Sequence, residues 1–530
     1  MKCRSRAGRL VSMTTLVAAV ALGAGIAGCR TTEENVHHWA NTAQGPRKLV
    51  AVLTHDKYAM DLRVEAAMTL VSMKPRAGRR IGIQNLLEAL NAMPEADRGK
   101  IVAGMVPRLD AEIRKPPTGS AETRVDSSIP YKDAAYALLT NDAGPLVTDK
   151  AQAETLKNAL TQWAVTDFSP RMDDASQAYG MEQVLRMLGT NGVRGLPALI
   201  QLGAPKLDRI SDLVADLGDA ATKLEASKRL VTVAQVLNSE KWIQDTTPKL
   251  EAANAANKGA KPPTKEQFRK QIEQYQEEEL LRLFTSMKKV GQQPIVEYLL
   301  SSVALDKSQS EKRRATALLA LEGQIDKDNK SQVEKVLSLA GAEDTPDSVR
   351  DAALRIVGEM PRKLVVDRLY ALFDSKEWKI RWVAAELILK MSDSSHVDEF
   401  MTRIGHIKGM SITEPLRYGK LIGDMKKVKV DPVEALDKYT DTHYSAEERL
   451  IALGYYYEGG TKQDLAKVDR YSSDSTKVPE CLPSAKECEW KCTIDLGGGK
   501  QDEKTVGTVG DFVSYCVKPA LEKRAPAKRM

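Results

Sequence analysis

The sequence predicts an all-α fold built from stacked helix pairs, and three observations lead to this prediction. Apolar residues recur at helical spacing over long stretches of the 530-residue chain, which is the pattern of helices with one buried face. The pattern also repeats, because the apolar stripes of residues 349–360 and 380–391 coincide after a shift of 31 residues. Aromatic residues make up only 5% of the chain, which suits closely stacked helices. Helix pairs that recur every roughly 20–50 residues are typical of a solenoid.

The first 28 residues have the pattern of a secretory signal. A basic stretch, Lys2 to Arg9, precedes an apolar run from Leu10 to Ala27, which is the order of a signal peptide. The formal net charge of +6 falls to +2 without the four basic residues of this segment. The rest of the chain is nearly neutral, so its net charge does not favour binding to nucleic acid.

The end of this segment, Ile26-Ala27-Gly28-Cys29, resembles the lipobox of bacterial lipoproteins. The resemblance implies that diacylglycerol is attached to Cys29 and that the signal is cleaved before it. The alternative is an ordinary secretion signal followed by a chance cysteine. Arg30 stands where an inner-membrane retention signal would usually place Asp. We therefore expect a lipid-anchored protein of the bacterial cell envelope, with the periplasmic face of the outer membrane favoured over the inner membrane.

Residues 29–46 are predicted to form the lipidated N-terminus and a tether. Residues 31–46 are polar and show no clear helical period, as is typical of a linker. His37 and His38 are adjacent and would not face one another on a helix. Because a tether offers no fixed frame of further ligands, no metal site is predicted here.

Residues 47–470 are predicted to form the repeat array. Two loops interrupt it, near residues 115–120 and 252–263, where Pro-Pro pairs and glycines cannot continue a helix. After the second loop, Thr264 and Gln267 have the spacing of a capping box. The helix that follows is rich in Glu, Gln and Lys, and we interpret it as a long solvated helix.

Several predicted helices carry an arginine near their start and an alanine three positions later. The arginines with this pattern are Arg63, Arg314, Arg350, Arg381 and Arg449. Helix pairs with this signature resemble HEAT repeats, and the resemblance is strongest from Glu311 to Met391. It implies a right-handed α-α superhelix in which these arginines bond to neighbouring turns, so that their role is structural.

Residues 471–520 differ in composition and are predicted to form a small C-terminal α+β module. It contains four cysteines, Cys481, Cys488, Cys492 and Cys516, around a predicted two-stranded hairpin and a short helix. Their spacing fits no familiar zinc site, and an exported chain reaches an oxidising compartment, so two disulfides are favoured over zinc. Four cysteines allow three pairings. Residues 521–530 are predicted to be a basic flexible tail.

No catalytic motif is found, and neither a catalytic residue, a cofactor nor an enzymatic activity is predicted. The best candidates for partner binding are Trp378 and Trp382, which stand four residues apart and share a helix face. They could anchor a protein interface. Alternatively, both could wedge into the preceding repeat.

Three functions remain open at this point. The first is a lipid-anchored envelope scaffold that binds an unknown protein partner through the solenoid surface. The second is an enzyme or small-ligand binder, because bilin lyases also contain HEAT-like repeats. The third is a spacer that presents the Cys-rich end as a functional head. A deep pocket lined by converging acids, histidine or arginine would favour the second function, whereas an open groove would favour the first.

Overall fold

The computed structural model describes residues 31–480 and 490–524, apart from residues 77, 121–122, 173–179, 256–262, 343, 376, 408 and 498–499. Helices dominate this part of the chain, and the predicted all-α fold is confirmed. The chain divides into two compact units, residues 1–196 and residues 197–530. The predicted signal peptide and Cys29 lie outside the described residues.

Unit 1 is made of helices joined by short loops. Its helices are α1 (Glu33–Trp39), α2 (Gly45–Thr54), α3 (Met60–Ser72), α4 (Ile81–Ala92), α5 (Glu95–Ile113), α6 (Ile129–Thr140), α7 (Lys150–Thr161), α8 (Ala164–Met172), α9 (Met181–Leu188) and α10 (Thr190–Val193). A 3₁₀ turn, Leu196–Leu199, follows them. The predicted loop near residues 115–120 lies between α5 and α6.

Unit 2 continues the helical pattern and ends in a hairpin module. Its helices are α11 (Leu207–Leu217), α12 (Ala220–Leu237), α13 (Glu240–Ala255), α14 (Lys265–Val290), α15 (Gln293–Glu297), α16 (Glu311–Leu321), α17 (Lys330–Gly341), α18 (Asp347–Gly358), α19 (Arg362–Ala371), α20 (Trp378–Lys390), α21 (Val397–Ile404), α22 (Thr413–Gly423), α23 (Pro432–Asp437), α24 (Ala446–Gly459), α25 (Leu465–Asp469), α26 (Val509–Phe512) and α27 (Lys518–Glu522). A π-helical segment, Tyr298–Ala304, extends α15, and a second, Val513–Val517, joins α26 to α27. Short 3₁₀ turns lie at Leu372–Asp374, Ser394–His396, Lys438–Thr440 and Lys462–Asp464.

Within each unit, alternate helices pack in a file. In unit 1, α3 packs on α5 and α5 packs on α7. In unit 2, α14, α16 and α18 pack in succession, as do α20, α22 and α24. Each contact buries the apolar stripe of one helix against the next. This is the nearest-neighbour packing of a helical solenoid, in which each repeat contacts only the adjacent ones.

The five repeat arginines occupy the same place in their helices. Arg63, Arg314, Arg350, Arg381 and Arg449 are each the fourth residue of α3, α16, α18, α20 and α24, respectively. All five side chains are buried, and none is more than 5% exposed. The guanidinium group must therefore find its hydrogen-bond partners inside the protein.

Four of these arginines donate to the carboxyl end of the helical segment that precedes them. Arg63 Nε lies 2.8 Å from the Leu53 carbonyl oxygen, and Arg314 Nε lies 2.9 Å from that of Ala304. The other two contacts join Arg350 to Ala342 at 3.0 Å and Arg381 to Ser375 at 2.9 Å. The last carbonyls of a helix have no partner within it and carry a partial negative charge. Each arginine therefore belongs to one helix and caps the carboxyl end of the helical segment before it.

Two glycines allow α22 and α24 to cross at close range. A Cβ atom at Gly419 would overlap the backbone of Ile451 and Tyr455, and one at Gly454 would overlap the Pro415 carbonyl. Side chains at these two positions would push the helices apart.

The N-terminal stretch differs from the predicted tether. Glu33–Trp39 forms α1, and the side chain of Val36 is fully buried. Pro46 belongs to the first turn of α2. The sequence gives little sign of this helix, because seven residues are too few to show an apolar period.

The second predicted loop lies between α13 and α14, and the predicted capping box lies at the start of α14. α13 extends to Ala255, and residues 256–262 lie outside the described residues. Thr264 accepts a hydrogen bond from the Gln267 backbone at 3.2 Å, and the Gln267 side chain accepts one from the Thr264 backbone at 3.0 Å. The predicted capping box at the start of α14 is confirmed.

The C-terminal module packs on the end of the helical file. Strands β1 (Lys491–Gly497) and β2 (Lys500–Thr505) pair antiparallel, with Cys492 opposite Lys504. A disulfide joins Cys492 to Cys516, whereas Cys481 and Cys488 lie outside the described residues. The side chains of Val509, Phe512 and Leu521 form a small core.

Two arginines join this module to α24. Arg449 pairs with the Asp474 carboxylate and donates to the Thr476 hydroxyl at 3.0 Å. Arg524, which the sequence places in a flexible tail, donates to the Gly460 carbonyl at 2.7 Å and to that of Tyr457. The tail prediction is therefore wrong for residues 521–524, and residues 525–530 lie outside the described residues.

The arginine caps lead to a stability prediction. Replacing Arg314 with alanine leaves the buried Ala304 carbonyl without this donor, and should cost about 1–3 kcal/mol of local stability. Amide hydrogen exchange over residues 298–321 should accelerate accordingly. Arg355→Ala, on the exposed face of α18, is the matched control and should change stability by less than about 0.5 kcal/mol. Equal exchange in both variants would contradict a capping role.

Candidate functional site

An apolar groove of about 780 Å³ lies in unit 2. Its walls come from the segment before α11 and from α11, α12, α13 and α14. The residues that line it include Leu202, Leu207, Val233, Leu237, Trp242, Thr246, Lys249, Leu250, Phe268, Ile272, Tyr275, Glu279, Arg282, Leu283 and Ser286.

The groove follows one face of each of two helices. On α14, the lining positions 268, 272, 275, 279, 282 and 286 fall three or four residues apart, so they share one face. On α13, positions 242, 246 and 250 fall four residues apart, and position 249 adjoins this face. Trp242 is the one buried residue of α13. Leu250, the other large apolar side chain of α13 in the groove, is 37% exposed.

Several large apolar side chains of the groove are accessible to solvent. Leu202, Leu250 and Tyr275 are 44%, 37% and 50% exposed, respectively. Tyr275 stacks on Trp242 with ring centroids 6.1 Å apart and an interplanar angle of 17°. Exposed apolar side chains gathered in one place are typical of a binding surface.

The floor of the groove is held by a buried hydrogen bond. Gln276, one position beyond Tyr275 on α14, donates to the Leu237 carbonyl at 2.6 Å. This contact fixes α14 against the end of α12. Arg313 of α16 donates to the Gln276 side chain at 3.1 Å and to Asn238 at 2.9 Å. The groove is therefore built on elements that the neighbouring repeat holds in place.

The groove has a mainly apolar lining with a few charged side chains. The charged residues that line it are Lys206, Asp208, Lys249, Glu279 and Arg282. Glu279 and Arg282 pair with one another at 2.8 Å. Among the described residues that line the groove, none is a histidine or a cysteine.

The groove is not predicted from the sequence. The solvated character predicted for the Glu-, Gln- and Lys-rich helix holds for only one face of α14. The other face buries Phe268, Ile272 and Leu283. Their recurrence at helical spacing was a signal that could have been used, although the opposing wall on α13 could not be inferred from it.

The predicted binding pair, Trp378 and Trp382, lies elsewhere in unit 2. Both side chains are half-buried on α20, and their rings stack at a centroid distance of 5.4 Å. Trp382 donates its indole N–H to Glu386 at 3.0 Å, and Arg417 donates to the same oxygen at 2.8 Å. Burial acts to raise the pKa of Glu386, but these hydrogen bonds and one from Lys390 hold it below its usual value. The pair is thus partly exposed and supported by a charged side chain.

A second cleft, of about 600 Å³, gathers ionisable side chains in unit 1. Glu65 of α3 accepts hydrogen bonds from Arg108 and from His37 Nε2, the latter at 2.6 Å. Burial acts to raise the pKa of Glu65, but these two hydrogen bonds outweigh it and hold the pKa below its usual value. Both oxygens of the ionised Glu65 carboxylate therefore accept hydrogen bonds. The bond from His37 holds α1 against α3.

A buried ionic cluster, which the sequence did not indicate, joins α6 to α8. Lys132 lies 2.9 Å from Asp126 and 2.5 Å from Asp167. Arg171 lies 2.5 Å from Asp133. Burial raises the pKa of Asp133, although Arg171 and Arg80 oppose this effect. Buried charges need partners of opposite sign, and these carboxylates have them, which indicates a structural role.

The described residues offer no metal-binding cluster, since no three or more His, Cys, Asp or Glu side chains converge there. In the same part of the chain, no helix is long and apolar enough to span a bilayer.

Comparisons with known proteins give only distant likenesses. No protein-family model matches the chain, and a search of curated proteins found no match. Two crystal structures of Kap121p, one of them a mutant, align at 11% identity over 83% of this chain, with TM-scores of 0.34 and 0.33 for the mutant. This chain spans 43% and 51% of those two Kap121p chains, about half their length. An engineered protein aligns at 13% identity over 80% of this chain and 98% of its own, with a TM-score of 0.27. We assign no function from these likenesses.

The groove should bind apolar probes. The purified protein should enhance the fluorescence of a dye such as anilinonaphthalene sulfonate. A variant carrying Leu250→Asp and Tyr275→Asp should bind the dye at least tenfold more weakly, because each apolar contact contributes about 1.5 kcal/mol. Val236→Asp is the control, since Val236 is 47% exposed on α12 and does not line the groove. Unchanged dye affinity in the double variant would show that the groove is closed to apolar molecules.

Proposed function

We propose that this protein is a lipid-anchored scaffold of the bacterial envelope that binds a protein partner through the groove between α13 and α14. The observation that supports it most directly is the accessible apolar surface of Leu202, Leu250 and Tyr275 in one groove. The partner segment that fits best is an amphipathic helix, whose apolar face would lie in the groove.

The length of the groove favours a segment of polypeptide over a compact ligand. Its lining on α14 runs from Phe268 to Ser286. At 1.5 Å of rise per residue, this distance is roughly 27 Å. A helix of about five turns would cover it. Mixed charges at the rim, such as Lys249 and the pair of Glu279 with Arg282, could pair with the polar face of such a helix.

The lipid anchor is supported by the sequence alone. The Ile26–Cys29 stretch resembles a lipobox, and the expected attachment point, Cys29, lies outside the described residues. Acyl chains buried in a leaflet contribute about 0.8 kcal/mol per methylene. Several chains on one cysteine would make the attachment stable.

A second candidate function is the binding of a small apolar molecule. The volume of about 780 Å³ lies within the range of small-molecule pockets. The bilin-lyase-like enzyme remains a weaker proposal, because the converging group of His37, Glu65 and Arg108 is occupied in docking α1. The spacer hypothesis is also weaker, because Arg449 and Arg524 join the Cys-rich module to α24.

Cross-linking from native membranes would test the groove as a partner site. A photoreactive residue at Leu250 should capture a discrete protein, and Tyr275→Asp should reduce that capture at least tenfold. A buried charge facing an apolar partner costs several kcal/mol, which is the reason for this expectation. Val236→Asp should leave capture unchanged.

Two results would contradict this proposal. Equal capture by Tyr275→Asp and Val236→Asp would place the partner elsewhere on the surface. A small molecule that co-purifies with the protein and is lost in Tyr275→Asp, without any cross-linked protein, would support the second candidate function instead.

Lipidation can be tested independently of the partner. Mass spectrometry of the N-terminal peptide should show diacylglycerol on Cys29, and the protein should stay with membranes through a high-salt wash. Residues 30–530 secreted behind an ordinary signal should be released by the same wash, because the acyl chains are absent. An unmodified Cys29, or equal retention of both forms, would rule out the anchor.

A further inference from the structure

The position of α1 limits how far the body can lie from a lipidated Cys29. α1 begins at Glu33, so only three residues separate it from Cys29. However these residues are arranged, four Cα-to-Cα steps span at most about 14 Å. The acyl chains of a lipoprotein lie in the hydrocarbon core, which places the cysteine backbone among the headgroups. The start of α1 would therefore lie close to the bilayer surface.

Several contacts hold α1 against the rest of unit 1. The Val36 side chain is fully buried, and His37 Nε2 lies 2.6 Å from Glu65 of α3. A Cβ atom at Gly45 would overlap the Trp39 carbonyl, so α2 begins in direct contact with the end of α1. A membrane attached at Cys29 is thus linked to a packed helix and not to a long flexible tether.

Beside α1 lies a surface that we call the basic patch, made of Trp39, Lys48, Arg76 and Arg79. Lys48 Nζ lies 5.1 Å from the centroid of the half-buried Trp39 ring. Arg76 donates to the Thr42 carbonyl at 2.8 Å and to that of Ala43 at 3.3 Å, in the turn that follows Trp39. Arg79 adjoins Arg76 through two backbone hydrogen bonds of 2.9 and 3.0 Å.

The cations of this patch have no carboxylate partner among the described residues. Ion pairs elsewhere in unit 1 neutralise Arg80, Arg108 and Lys132, but none involves Lys48, Arg76 or Arg79. Lys48 and Arg79 are also exposed. A cluster of uncompensated cations around a tryptophan matches the phosphate and interfacial layer of a bilayer, where tryptophan rings and basic side chains concentrate.

We propose that the basic patch of unit 1 rests on an anionic lipid surface and orients the body against the membrane. This proposal deepens the proposed lipid anchoring and rests on it for the placement of α1. Trp39 lies about 9 Å along the helix axis from Glu33. At this distance, the lipid on Cys29 and the basic patch can contact the same leaflet. The acids Glu33 and Glu34 occupy the first turn of α1, at the opposite end from Trp39.

A nucleic acid is the other polyanion that such a patch could bind. The bilayer is favoured, because Trp39 belongs to the helix that only three residues separate from the expected lipid attachment at Cys29. The near-neutral charge of the whole body also gives no extended basic track for a phosphodiester backbone.

The test uses residues 30–530 without lipid, so that the patch is measured apart from the acyl chains. At low salt, this form should co-sediment with vesicles of phosphatidylethanolamine and phosphatidylglycerol, and not with vesicles of phosphatidylcholine. Lys48→Gln with Arg79→Gln should weaken binding about fivefold for each charge removed, as expected from ~1 kcal/mol per basic residue at a membrane surface. Salt should release the protein.

The matched control carries Lys100→Gln with Lys150→Gln, which removes two exposed lysines elsewhere in unit 1. It should bind as the unmodified chain does. The proposal is overturned if both double variants bind alike, if the chain does not distinguish the two vesicle types, or if it binds single-stranded RNA and ignores anionic vesicles.

This experiment also separates the patch from the anchor. If Cys29 proves unmodified in cells while the non-lipidated chain still binds anionic vesicles through Lys48 and Arg79, the anchor fails and the membrane-facing surface stands. If Cys29 is lipidated and the patch variant binds vesicles normally, the anchor stands and the patch is overturned.

Discussion

The fold depends on one recurring interaction, the arginine at the fourth position of a helix that caps the helical segment before it. Arg63, Arg314, Arg350 and Arg381 all make this contact. Each of these arginines lies at a turn between two helical segments. There, the last carbonyl groups of one segment, which have no partner within it, face the first turn of the next. The contact holds the end of one helix against the first turn of the next. A buried cation without such partners would be strongly destabilising. The helix packing that buries each arginine therefore requires the turn that supplies its carbonyl partners.

The same position serves a different purpose where the file of helices in unit 2 ends. Arg449 is again the fourth residue of its helix, but its partners are Asp474 and Thr476. The buried guanidinium here holds the C-terminal module, and Arg524 caps the other end of α24. A terminal repeat needs a polar cover for its outer face, and the disulfide-linked module provides it. Three of the exposed large apolar side chains of unit 2, those of Leu202, Leu250 and Tyr275, lie together in the groove.

The sequence was sufficient for features that depend on neighbours along the chain. The spacing of Arg314 and Ala317 marks a helix start, and the partner of Arg314 lies only ten residues earlier. The capping box at Thr264 is equally local. The groove could not be predicted. The exposure of Tyr275 depends on how α13 packs against α14, and no local sequence pattern determines that packing. The helix α1 was missed for another reason: its stability comes from burying Val36 in unit 1 and not from its own composition.

The docking of α1 changes what a lipid on Cys29 could do. A tether of eighteen residues would let the body rotate freely above the bilayer, and any surface could then meet a partner. Because Val36 and Glu65 hold α1 against the body, a lipid on Cys29 would be joined to the body by only three residues, which would restrict that freedom. A body restricted in this way would lose less orientational entropy when a partner binds. Pre-organisation of this kind raises affinity without any new contact. The burial of Val36 would therefore affect how strongly a membrane-anchored body binds its partner.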